Sequence, residues 1–331
     1  MKSEKKYKRQ KVTASAPGKL MLFGEHAVVY GIPSIVTAVD QRISVEVEKN
    51  GVDAFHLEAP DLGLAAYSKT IGDLGKKQLP KAVRFIEMFY KRFLDKYPQK
   101  EGIDVTTRSD FSASYGFGSS SAVTVAFAKA LTSLYGIELS KKDLFDLCYQ
   151  TVIDVQGVGS GFDIATAIWG GTIYYVAPAK VVEVIEILDL PIVVGYTGVK
   201  ADTPTLIRMV QGLRAKNKKK IENIFNLTGE IVNMARVGME RGDWELVGGL
   251  MKKNQKLLRK LQVSSVELED LIKAAEKSGA YGAKLSGAGG GDCMVAVVSG
   301  ENKDGVERGI GAVGGGLVRV VLGAEGVRIE G

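Results

Sequence analysis

Between Ile43 and Glu48 apolar and polar residues alternate: Ile43, Val45 and Val47 against Ser44, Glu46 and Glu48. A period of two with one apolar face predicts a half-buried strand. Runs rich in β-branched and aromatic residues at Thr172–Val176 and Val182–Ile187, and apolar runs at Met294–Val298 and Leu317–Leu322, read as further strands. Elsewhere the spacing turns helical. Ala122–Tyr135 sets Val125, Leu131 and Leu134 on a packed face, Lys142–Ile153 reads as a second helix, and Ile164–Ile168 as an apolar helix-like run. From about residue 203 to residue 278 the chain is mostly helical, with charged faces and short breaks. Strand-rich sequence thus comes first, and a helical segment with a short sheet follows. The expected class is α+β in two domains, residues 1–190 and 191–331. A length of 331 residues suits two cores better than one.

The 40 glycines are bunched, at Pro17–Gly24, Gly116–Ser121, Gly157–Gly161, Gly170–Gly171, Gly287–Gly291 and Gly311–Gly316. These bunches are expected to meet between the two domains as an active site. Composition narrows the classes: 45% hydrophobic and 25% charged residues describe a globular chain, neither disordered nor fibrous. Net charge is +6, fed by a basic start with six Lys or Arg in Met1–Lys11 and by Arg214–Lys220. Both read as solvated surface. No nucleic-acid module and no apolar run of the ~18 residues needed to span a membrane is present, so neither is a partner. Cys148 and Cys293 have no metal-ligand spacing and read as reduced, buried residues. A cytoplasmic enzyme is expected, with a homodimer left open.

Four segments carry chemistry. Gly116-Phe117-Gly118-Ser119-Ser120-Ser121 opens directly into a helix. Glycines admit close approach of a ligand, and a helix N-terminus offers unpaired N–H groups, together a phosphate cradle. A glycine turn with serine caps is the plainer alternative. The P-loop pattern G-x-x-x-x-G-K-[ST] is absent. Gly157–Gly161 leads to Asp163, either a helix cap or a carboxylate that orients and deprotonates an attacking hydroxyl. Lys284–Asp292 holds three successive glycines, which close approach to a ligand or backbone explains better than a linker. Ser15–His26 supplies Lys19, Glu25 and one of two histidines; the other, His56, reads as structural.

The first, third and fourth segments, in order and spanning Ser15 to Asp292, resemble the three signature motifs of the GHMP small-molecule kinases. The resemblance implies an N-terminal domain like ribosomal protein S5 domain 2 and a ferredoxin-like C-terminal domain. It implies ATP, held by Gly116, Gly118, Ser119, Ser120 and Ser121 with Gly287, Gly289 and Gly290, and Mg²⁺ at Ser120. Asp163 falls at the family's catalytic aspartate and Lys19 at its active-site lysine.

Within the family, Phe23–Gly31 resembles the kinases of mevalonate, an isoprenoid precursor. That likeness implies Glu25, His26 and residues near Asp40–Arg42 beside the acceptor. Gly159–Asp163, Gly289–Cys293 and Tyr196-Thr197-Gly198 look more like phosphomevalonate kinases, which brings Thr197 into the substrate set. Two departures stand out. Asp292 occupies a place where mevalonate kinases usually carry a fourth glycine. Val152, eleven residues before Asp163, replaces their Mg²⁺-binding Glu, and Asp154 faces the other way if the helix continues that far. A phosphorylated acceptor needs extra cations, for which Lys200, Arg208 and Lys284 are candidates. The expected activity is phosphorylation of mevalonate; phosphomevalonate and a non-catalytic nucleotide-binding regulator are the alternatives.

Overall fold

The computed structural model describes residues 10–331 apart from residues 77, 81, 113 and 188, so the first nine residues of the basic N-terminal tail lie outside the described residues. The alternation at Ile43–Glu48 belongs to a long strand that buries Ile43, Val45 and Val47 and leaves Ser44, Glu46 and Glu48 half-buried.

The first half of the chain supplies strands β1 (Lys11–Phe23), β2 (Ser34–Lys49), β3 (Ala54–Ala59), β4 (Leu64–Thr70), β5 (Ile103–Ser109), β6 (Thr172–Val176) and β7 (Val181–Ile185). β2 is their hub: it pairs with β1 on one side, and with β6 and then β5 on the other. Pro17 and Gly18 fall at a bulge in the β1–β2 ladder, where a residue without an N–H is tolerated. Helices α1 (Arg84–Lys96), α2 (Ser119–Leu134), α3 (Lys141–Gln156) and α4 (Phe162–Trp169) belong to this half, with α2 and α4 packed on β1 and β2. α2 is small and apolar nearly all round, as a helix enclosed on every side must be.

The second half contains a smaller sheet, ordered β11-β8-β10-β9, of β8 (Ile192–Tyr196), β9 (Gly282–Leu285), β10 (Cys293–Val297) and β11 (Gly316–Leu317). Around it lie α5 (Thr203–Lys216), α6 (Lys218–Glu240), α7 (Trp244–Lys260), α8 (Val266–Lys277) and α9 (Lys303–Ala312). The basic cluster Arg214–Lys220 sits at the α5–α6 junction, mostly exposed, with Arg214 paired to Glu222. Among the described residues no helix is long and apolar enough to cross a membrane.

The expected strand Leu317–Leu322 stops at Leu317, because the backbone then leaves the small sheet for the large one. Asp40 and Val321 exchange two hydrogen bonds, from Asp40 N–H to the Val321 carbonyl (2.9 Å) and from Val321 N–H to Asp40 Oδ1 (2.8 Å). A last strand, β12 (Arg328–Ile329), pairs with β1. Arg42 clasps this returning segment: its guanidinium donates to the carbonyls of Glu325 (2.8 Å), Gly326 (2.8 Å) and Ser15 (2.9 Å) and to Ser15 Oγ (2.6 Å). The chain therefore recrosses the expected division at residue 190, and Arg42, expected beside an acceptor, is spent on a clasp.

Candidate active site

Four chain segments converge where the two halves meet. α2 and α4 each begin on a left-handed glycine, Gly118 (φ 75) and Gly161 (φ 81), and neither has a side-chain cap. α3, α5, α6, α7 and α8 are instead capped by Ser140, Asp202, Asn217, Asp243 and Ser265. No described residue accepts from the N–H of Ser119 or Ser120. Those donors and the positive end of the α2 dipole suit an anion. Ser119 and Ser120 also line a cleft of about 500 Å³ whose walls include Ile86, Arg108, Phe111 and Val123. A charged groove between α1 and α3, lined by Arg92 and Asp154 among others, holds none of the four segments.

Lys19 reaches this mouth from β1. Its ammonium donates to the Gly116 carbonyl (2.7 Å) and lies 5.4 Å from the centre of the Phe162 ring, and its backbone N–H donates to Phe117 O (3.0 Å). Burial pushes the Lys19 pKa below the ordinary lysine range, while Asp163, Asp292, Cys293 and Glu25 pull it back up. Asp163, in the first turn of α4, accepts from Ser121 Oγ (2.7 Å) on Oδ2 and from the Ile164 N–H (3.1 Å) on Oδ1. Gly118 separates the two charged groups: a Cβ there would lie 3.2 Å from Lys19 Cε and 3.5 Å from Asp163 Cβ.

Glu25 and His26 end the loop after β1, and each is tied to the third segment. The carboxylate of Glu25 takes a short hydrogen bond from Lys284, and both side chains are completely buried. Burial pushes Glu25 up and Lys284 down, both towards neutrality, so the pair carries no net charge in either protonation form. His26 adopts a left-handed backbone (φ 60), and its Nε2 meets the Ala288 carbonyl at 2.9 Å. Burial lowers the His26 pKa. Ser286 completes the join by accepting from Met21 N–H (3.0 Å) and donating to Met21 O (2.9 Å).

The sequence-expected residues divide into two groups. Lys19, Asp163, Gly116, Gly118, Ser119, Ser120, Ser121, Glu25 and His26 come together, although Ser121 Oγ serves Asp163. Gly287 has open space above it, whereas a Cβ at Gly289 would overlap the Val263 backbone and one at Gly290 would meet Leu206 at 2.9 Å. These two glycines answer to protein packing. The Thr197 hydroxyl is spent on backbone carbonyls, Val199 O within its own turn (3.1 Å) and Asp292 O across in the glycine loop (3.0 Å). Lys284 is bound to Glu25. Val152 is buried, and Asp154 faces outward onto Arg92. His56 on β3 pairs with Asp104 on the neighbouring β5, and both cysteines are free and buried. Asp292 joins the site without having been singled out as a site residue; its standing in place of a glycine was the signal.

Fold and site together define a kinase of the GHMP class. The model of the GHMP kinases N terminal domain matches residues 82–171 and that of the GHMP kinases C terminal matches residues 235–315. A galactokinase galactose-binding signature matches residues 3–49. The mevalonate kinase of Thermococcus sibiricus is 36% identical, with 97% of this chain and 98% of that protein covered. That of Pyrococcus horikoshii is likewise 36% identical, covering 96% and 98%. Among solved structures, L. major mevalonate kinase in complex with R-mevalonate has a TM-score of 0.78 at 26% identity, covering 96% of this chain and 98% of that one. The chain belongs to the GHMP kinases, in the mevalonate kinase family.

Proposed function

We propose that this chain transfers the γ-phosphoryl group of ATP to the 5-hydroxyl of mevalonate. The observation that carries the reading is the placement of Lys19 and Asp163 on either side of Gly118, at the mouths of two uncapped helices. The N–H groups of Ser119 and Ser120 cradle phosphate oxygens. Lys19 offsets charge that grows between donor and acceptor, and Asp163, steadied by Ser121, orients the acceptor hydroxyl and takes its proton. Positioning and preorganised electrostatics supply most of the acceleration.

Mg²⁺ fits the residues present. Among the described residues no cluster of three His, Cys, Asp or Glu stands ready for a metal. Ser120 in the first turn of α2 offers one hydroxyl in the cleft, and Mg²⁺ readily takes its other ligands from nucleotide oxygens and water. When bound it neutralises phosphate charge.

The buried Glu25–Lys284 pair favours mevalonate over its phosphorylated form, because it removes Lys284 from the cations a second phosphate would need. The test is ATP consumption with Mg²⁺ and, in parallel, mevalonate, 5-phosphomevalonate or galactose. Turnover with mevalonate alone is expected. Turnover confined to either other acceptor overturns the reading.

A further inference from the structure

Asp292 is one of four described non-glycine residues with positive φ, at 57°, and directly follows three successive glycines. Such a backbone persists where surrounding contacts enforce it. Here they do. The Asp292 N–H donates to Val199 O (2.7 Å), and its carbonyl accepts from both the N–H and the hydroxyl of Thr197 (3.0 Å each). Its Oδ1 accepts from the Ala201 N–H (2.9 Å). The 197–201 turn of the second half thus holds Asp292 at four points.

The other oxygen points elsewhere. No described residue donates to Oδ2, which lies so close to Gly116 that a Cβ there would overlap it. Gly116 is bordered on two sides: its carbonyl accepts from the Lys19 ammonium, and the Asp292 carboxylate fills the space that a side chain at 116 would need.

We propose that Asp292 is a positioning residue for phosphoryl transfer: through Gly116 and Lys19 it fixes the mouth of the phosphate loop to the 197–201 turn. The inference rests on reading Lys19 and the Gly116–Ser121 loop as the kinase site. Four groups face Lys19 electrostatically: Asp163, Asp292, Cys293 and Glu25. Glu25 is neutralised by Lys284, and the Cys293 thiol is pushed up to about 12 and stays protonated. Asp163 and Asp292 therefore remain as the two carboxylates that oppose the downward push of burial on Lys19; burial in turn raises the Asp292 pKa, against the pull of the Ala201 N–H, Lys19 and Lys200.

The test uses Asp292→Asn, which keeps the shape and the acceptor for Ala201 but drops the charge, and Asp292→Gly, which also relieves the left-handed backbone. In the full chain without substrate, the Lys19 amine is titrated by NMR of lysine-labelled protein, with Lys19→Arg giving the assignment. The dependence of kcat on pH with ATP and mevalonate, and Tm, are measured alongside. In Asp292→Asn the Lys19 titration moves to lower pH and kcat falls about 10-fold to 100-fold, with Tm held. Asp292→Gly shows the same loss of kcat at equal or higher Tm. A lowered Tm with wild-type Lys19 titration and a wild-type basic limb of kcat would mark a merely structural residue and overturn the proposal. The titration needs no acceptor, so a wild-type chain without mevalonate turnover counts against the proposed function and leaves Asp292 to be decided by NMR.

Discussion

Ser121 Oγ donates to Asp163 Oδ2 at 2.7 Å, so the first turn of α2 steadies the carboxylate that opens α4. The two helix mouths are thereby fixed relative to each other by one side-chain bond, 42 positions apart in the chain. Asp163→Asn keeps the volume and removes the proton acceptor. Its kcat is expected to fall by about 10²–10⁴ while ATP affinity, measured by calorimetry, stays within about twofold. Ser121→Ala frees the carboxylate and is expected to lower kcat about tenfold. Substantial turnover in Asp163→Asn would remove Asp163 from the catalytic role.

The pH profile reports on Lys19. Burial lowers its pKa below the ordinary 10.5, against the pull of Asp163 and Asp292. Activity that needs the ammonium is present below the lowered value and lost as pH rises through it. The stability sign is opposite. Between the lowered value and 10.5 the unfolded chain binds the proton and the folded chain does not, so this group's contribution to stability rises with pH there. Lys19→Arg, whose charge persists, is expected to lose the basic limb of kcat. A limb unchanged in Lys19→Arg assigns it to another group.

The Glu25–Lys284 pair gives a stability prediction. Removing one partner leaves a buried polar group uncompensated, so Glu25→Leu or Lys284→Met each costs about 3–5 kcal/mol. The double variant is expected to recover most of that loss in urea unfolding. Additive losses would mean that the two residues do not act as a pair.

Gly118→Ala tests the space between Lys19 and Asp163. The added methyl would enter between Lys19 Cε and Asp163 Cβ, at 3.2 and 3.5 Å, on a backbone with φ 75. Strain of about 1–2 kcal/mol and a displaced Lys19 are expected, read as a lower Tm and a fall in kcat larger than any rise in KM for ATP. Unchanged kinetics would show that the loop has room to spare.

What the sequence disclosed followed locality. The strand through Ile43–Glu48 was legible because its two faces meet different surroundings, and α2 because a glycine turn leads straight into an apolar run. β1 was not read as one strand: Pro17 and Gly18 interrupt its pattern, and the bulge that accommodates them is a property of its pairing with β2. Leu317–Leu322 was over-read, since an apolar run does not reveal which sheet it will join. At the site, Lys19 and Asp163 were marked by their own short motifs. The bonds from Glu25 to Lys284, Met21 to Ser286 and His26 to Ala288 join residues about 260 positions apart, and no local pattern encodes them. Their effect was to recast Lys284 from a candidate substrate cation into half of a buried pair.

The clasp around Arg42 joins residues that are made far apart in time. Ser15 and Glu330, joined by a short hydrogen bond, are 315 positions apart, and the strand that borders β1 is made only as synthesis nears residue 329. Until then Arg42 lacks two carbonyl partners and β1 presents an unpaired edge, a template for joining another chain. An edge built from early residues is thus covered by late ones, 325–329.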